Sequence, residues 1–75
     1  MEKDLYYIMI NVGGRFGYSF IVTTRYNETD DSILHMCLEK DLFQSNEDID
    51  YANVDYCVTE RDIEIFKDCI YNLDD

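Results

Sequence analysis

One pair of neighbouring side chains has the types a nucleophile and its base require. His35 is the sole histidine, and Cys37 stands two residues from it. On a helix that spacing turns the two onto different faces, and no third group is placed to orient the imidazole, so a cysteine–histidine pair is not expected. His35 reads as a helix-surface residue. The carboxylates of "DIDYANVD" invite a calcium loop. Counted from Asp48, however, the fifth position is Ala52, the sixth Asn53 and the twelfth Thr59, where the pattern wants an oxygen ligand, glycine and glutamate. "GGRFG" at 13–17 lacks the Walker lysine and the GxGxxG spacing, and it joins strand to strand, so no phosphate cradle is expected. Cys37, Cys57 and Cys69 are odd in number, contain no CxxC and sit among apolar neighbours; they read as small buried thiols in a reducing compartment. No catalytic residue, metal or cofactor follows, and the chain is read as non-enzymatic.

What remains is charge. Seventeen acids face six bases among 75 residues, a net of −11. Residues 1–27 hold three bases and two acids, whereas 28–75 hold three bases and fifteen acids, a net of −12. Such a field repels nucleic acid and anionic membrane and attracts basic surfaces. Direct nucleic-acid binding and membrane association are therefore excluded as expectations. Self-repulsion on this scale weakens a small fold unless something offsets it.

The elements that must position these acids follow from periodicity. One domain is expected from the length, and 47% apolar content is enough to fold it. The N-terminal apolar run is too short and too acidically flanked for a signal peptide or a membrane span. "LYYIMINV" (5–12) and "YSFIVTTRY" (18–26) have the length, aromatic content and β-branching of strands, and the glycines at 13–17 make them a hairpin. "NETDDSILHMCLEKDLF" (27–43) changes to a helical period, with Thr29 as N-cap, Asp30 and Asp31 in the first turn and a stripe of Leu34, Cys37, Leu38 and Leu42. Ile33, Met36 and Phe43 widen that stripe beyond the needs of a small core. After a loop through 46–52, "NVDYCVT" (53–59) reads as a third strand. "TERD" then forms a capping box on Thr59 and Asp62. A final helix over 60–73 carries Ile63, Phe66, Ile70 and Leu73 inward. The expected fold is α+β, a small antiparallel sheet with two helices on one face, in the order β-β-α-β-α.

On that last helix Glu60, Glu64 and Asp68 recur at i, i+4, i+8 opposite the core stripe, with Tyr71 and Asp75 beside them. At about 1.5 Å rise per residue their carboxylates stand about 6 Å apart along the axis. Asp48 and Asp50 would be about 6.6 Å apart if their segment is extended. DNA presents one phosphate per about 3.4 Å of axis on each strand, farther apart through space because the strand winds. The two acidic rows thus approach the interval a DNA-binding surface is built to meet. Glu47 and Asp55 extend the first row, and Tyr51, Tyr56 and Tyr71 supply the amphipathic contact area enriched at interfaces.

In size, in charge and in its mixing of acids with tyrosines, the chain resembles the small acidic DNA-mimic proteins that bacteriophages encode. Abundant isoleucine, asparagine, tyrosine and aspartate, with a single alanine, suit the AT-rich genomes of many such phages. The resemblance implies a non-enzymatic inhibitor in the bacterial cytoplasm that occupies the DNA-binding surface of a host protein. Restriction enzymes, CRISPR nucleases, uracil-DNA glycosylase and the nucleoid protein HU are the kinds of target. An HU-type protein is slightly favoured, because a two-fold basic clamp would suit a homodimeric mimic. The expected partner-binding residues are Glu47, Asp48, Asp50, Tyr51, Asp55, Glu60, Glu64, Asp68, Tyr71 and Asp75. The alternative is a protein–protein adaptor or antitoxin-like module that binds through apolar surface at Ile33, Met36, Phe43 and Ile65.

Overall fold

The computed structural model describes residues 5–15 and 17–74; Asp75 lies outside them. It is an α+β fold built on a four-stranded mixed sheet of order β3-β1-β2-β4. β1 (Tyr6–Val12) and β2 (Tyr18–Thr24) form the expected hairpin, paired from Tyr6↔Thr24 to Val12↔Tyr18. Two glycines make its loop feasible. Gly14 has φ +95°, and a Cβ on Gly17 would lie 2.9 Å from the Val12 carbonyl oxygen, closer than real Cβ atoms come.

α1 (Asp30–Glu39) starts where the sequence places it, with Thr29 Oγ1 accepting from the Ser32 amide at 3.2 Å. It stops earlier than its apolar stripe suggests. Asp41 takes the left-handed conformation (φ 59°), and the amides of Asp41 and Leu42 bond back to the carbonyls of Leu38 and Cys37. That is a Schellman closure, here built on aspartate instead of glycine. The turn brings Phe43 back into the core.

Residues 46–52 are not a loop. Ser45 caps a short 3-10 helix, η1 (Asn46–Tyr51), which leads into β3 (Ala52–Asp55), antiparallel to β1. β3 is shorter than the 53–59 read from sequence, because the Asp55 side chain turns back to accept from the Cys57 amide at 2.9 Å. Such an Asx-turn competes with strand continuation.

The capping box at the start of α2 (Glu60–Ile65) is present, with Thr59 and Asp62 each bonding the other's backbone amide at 3.1 Å. The helix does not run to 73. After a 3-10 turn, η2 (Lys67–Cys69), the chain enters β4 (Ile70–Asn72), which lies parallel to β2 with Ile21↔Ile70 and Thr23↔Asn72 in register. The Leu73 amide donates to the Thr23 carbonyl at 2.8 Å. "IYNL" satisfies both periods, since a short apolar run is ambiguous between helix and strand. The open edge of β2 decides for the strand.

One sheet face carries Ile8, Ile10, Val12, Phe20 and Val22, packed with Ile33, Cys37, Phe43 and Leu73. Phe20 lies at its centre, with Phe43 and Tyr71 edge-on at 6.0 and 5.9 Å between centroids. The other face carries Met9, Ile21 and Thr23, which are also buried. β2, β3 and β4 all run parallel, and the return from β3 to β4 crosses the sheet in the opposite lateral direction to the passage through α1. A right-handed crossover therefore puts α2 on this second face. None of its residues joins the α1-side cluster; half-buried Val58, Ile63 and Phe66 are the apolar side chains of that crossing. The helices thus occupy opposite faces, contrary to expectation. The sequence pattern could not show this, because both strand faces are apolar.

Candidate functional site

The acidic residues divide into those that hold the fold and those that face solvent unengaged. Asp48 belongs to the first group: its Oδ2 accepts from the Tyr18 hydroxyl at 2.6 Å, and the same phenol oxygen accepts from the Gln44 amide at 2.9 Å. Burial and the Asp48 bond raise the Tyr18 phenol above its ordinary pKa. Asp55 ends β3, and Asp62 caps α2. Asp74 accepts from both the Thr24 hydroxyl (2.8 Å) and the Arg25 amide (2.9 Å). Asp30 accepts a short bond from the Tyr56 hydroxyl, which pushes that phenol up to about 12, chiefly through the hydrogen bond itself. The Asp30–Tyr56 and Asp74–Thr24 links join residues 26 and 50 positions apart, and nothing local in the sequence signals them.

Among the described residues, the carboxylates of Glu47, Asp50, Glu60 and Asp68 make no hydrogen bond or ion pair. Glu64 meets Lys67 only at 4.0 Å, with both side chains largely exposed, a geometry that contributes little. The two expected rows change composition. Because 46–51 is a 3-10 helix, Asp48 and Asp50 point in different directions instead of lying along an extended chain. Residues three apart eclipse in such a helix, so Glu47 and Asp50 share a side at a rise of about 2 Å per residue, about 6 Å in all. On α2, Glu60 and Glu64 keep their i, i+4 relation about 6 Å apart, but Asp68 falls beyond the helix end in η2. Tyr71 moves with it onto β4, at the far edge of the sheet from β3. Three inter-strand steps of about 4.8 Å separate those edges by roughly 14 Å. Tyr51 is 59% exposed at the end of η1, and its carbonyl accepts from the Gly13 amide at 2.9 Å.

The apolar alternative loses two of its four residues. Ile33 and Phe43 lie in the core and Met36 is half-buried against it; Ile65, 62% exposed, remains outside. Nor do the other chemical readings gain support. His35 is exposed on α1, its Nδ1 2.8 Å from the Asp31 carbonyl oxygen, while Cys37 is buried with its thiol pushed up to about 12 by burial. Cys57 is exposed, which corrects its reading as a buried thiol. No group of three His, Cys, Asp or Glu among the described residues could hold a metal, and no helix there is long and apolar enough to cross a membrane.

A cleft of about 500 Å³ opens at the hairpin end, lined among others by Val12, Gly13, Gly14, Tyr18, Asp48 and Tyr51. The glycine-rich loop supplies one wall and η1 another, an adjacency created only by folding. No protein-family model, curated protein or solved structure significantly matches this chain.

Proposed function

We propose that the protein is a non-enzymatic DNA-mimic inhibitor that covers the basic DNA-binding surface of a host protein. The observation that carries this reading is the pair of exposed carboxylate rows, engaged within the chain only by the 4.0 Å Glu64–Lys67 contact. Glu47 with Asp50, and Glu60 with Glu64, each stand about 6 Å apart along their helices. From Asp41 to Glu60 the chain holds six acids and no base. Asp68 and the ring of Tyr71 would extend contact toward the β4 edge, and Asp75, outside the described residues, adds its charge to the chain. Asp48 and Asp55 contribute charge, but their side chains also serve the fold. A basic partner would relieve the self-repulsion of a −11 chain, and like charges at i, i+4 that weaken the free protein would strengthen the complex. An HU-type nucleoid protein, a small basic dimer, is the first target to try.

The test is competition. The chain should displace duplex DNA from a purified HU-type protein or another basic DNA-binding protein, with an affinity that falls steeply as salt rises. Reversal of Glu47, Asp50, Glu60 and Glu64 to lysine should abolish displacement while leaving the circular dichroism spectrum unchanged. Displacement of undiminished strength by that folded variant would refute the proposal.

A further inference from the structure

We infer that the cleft between the hairpin loop and η1 is a socket for one guanidinium side chain of the basic partner. The inference rests on the proposed function for its choice of partner and adds where a single arginine would anchor. Four features of the cleft lead to this ligand. The Tyr18 hydroxyl, itself fixed by the Gln44 amide, holds Oδ2 of the half-buried Asp48 carboxylate. The second oxygen, Oδ1, accepts no bond among the described residues and stands pre-organised for a donor. Tyr51 presents an exposed ring from the same lining, suited to a planar cation. Val12, Gly13 and Gly14 offer apolar or side-chain-free walls to the methylene stem of an arginine.

Charge favours a cation over an anion. Within the lining Asp48 is the acid and Arg15, which already holds an interaction within the chain, the base; Glu47 and Asp50 of η1 add negative field from outside it. The loop is no phosphate cradle, because the Gly13 amide is taken by the Tyr51 carbonyl at 2.9 Å. Guanidinium is preferred to ammonium because its fork of donors matches a carboxylate, it stacks on an aromatic face, and it sheds water more readily.

N-acetyl-arginine amide and N-acetyl-lysine amide, titrated separately into the 15N-labelled protein, test the inference. Arginine amide should give saturable amide shifts concentrated at Gly13, Gly14, Ser45 and Tyr51, and lysine amide should bind there several-fold more weakly. Asp48→Asn keeps an acceptor for Tyr18 and should weaken arginine binding about tenfold, as expected for loss of a charge-assisted bond. Tyr51→Leu, at an exposed position that spares the core, should also weaken it if Asp48→Asn fails to fold. Equal shifts at the cleft and at Glu60–Glu64, no preference for arginine, or unchanged binding in a folded variant would overturn the socket. The DNA-displacement assay separates the two ideas. Displacement that survives loss of arginine binding would sink the socket and spare the mimic, whereas absence of displacement would remove the mimic itself.

Discussion

Asp41 is the residue whose backbone asks for something its side chain does not provide. It closes α1 in the left-handed region at φ 59°, where glycine carries no Cβ penalty. Asp41→Gly should therefore stabilise the protein by about 0.5–1 kcal/mol, read as a raised urea midpoint with unchanged m-value. Tyr56 gives a second prediction. Its phenol is held up to about 12 by Asp30, above an unfolded value of about 10. A group whose folded pKa is raised adds stability that is complete below the unfolded pKa and fades as pH climbs through the folded one. The Tyr56 contribution should thus be intact below about pH 10 and disappear by about pH 12. Absorbance at 295 nm should show a late-ionising phenol that is missing in Tyr56→Phe. Cys37, also held at about 12, should react with a thiol reagent only as fast as the chain opens, while exposed Cys57 reacts at once.

At the scale of elements, legibility followed the range of the signal. The hairpin, the Thr29 cap and the Thr59–Asp62 box each depend on residues a few positions apart, and all three are present. The glycines of the loop form the turn, and Gly17→Ala tests why. Its Cβ would meet the Val12 carbonyl at 2.9 Å, so the hairpin must shift. A loss of about 1–3 kcal/mol is expected, with the larger amide-exchange increases in β1 and β2. β3 and the end of α2 were overrun because Asp55 and η2 stop them through bonds that the apolar pattern does not encode. β4 was missed because its stabilising partner, β2, lies almost fifty residues earlier. The candidate rows change likewise: Glu60 and Glu64 share α2, but Glu47 takes the place of Asp48 beside Asp50 on η1 and Asp68 falls in η2.

For the whole molecule, net charge is the dominant fact. With −11 on 75 residues, the compact state concentrates repulsion that the unfolded chain relaxes. Raising salt from about 0.01 M to about 0.15 M shortens the screening length from about 30 Å to about 8 Å. The free protein should therefore become more stable on adding sodium chloride, with a higher thermal midpoint, while the proposed complex with a basic partner should weaken. Opposite salt responses of folding and binding are the signature of a surface whose charges await a counterpart. A chain stabilised by internal ion pairs would lose stability instead.

The sequence by itself determined the charge, its confinement to residues 28–75, the hairpin, the helix starts and the α+β class, because composition and short-range backbone preferences need no partner from elsewhere in the chain. Only the tertiary structure decided that 70–72 is a strand, that the helices lie on opposite faces, and which carboxylates are consumed by the fold. Those outcomes depend on hydrogen bonds and packing between residues far apart in the chain, where one segment's best conformation is set by what another leaves unsatisfied.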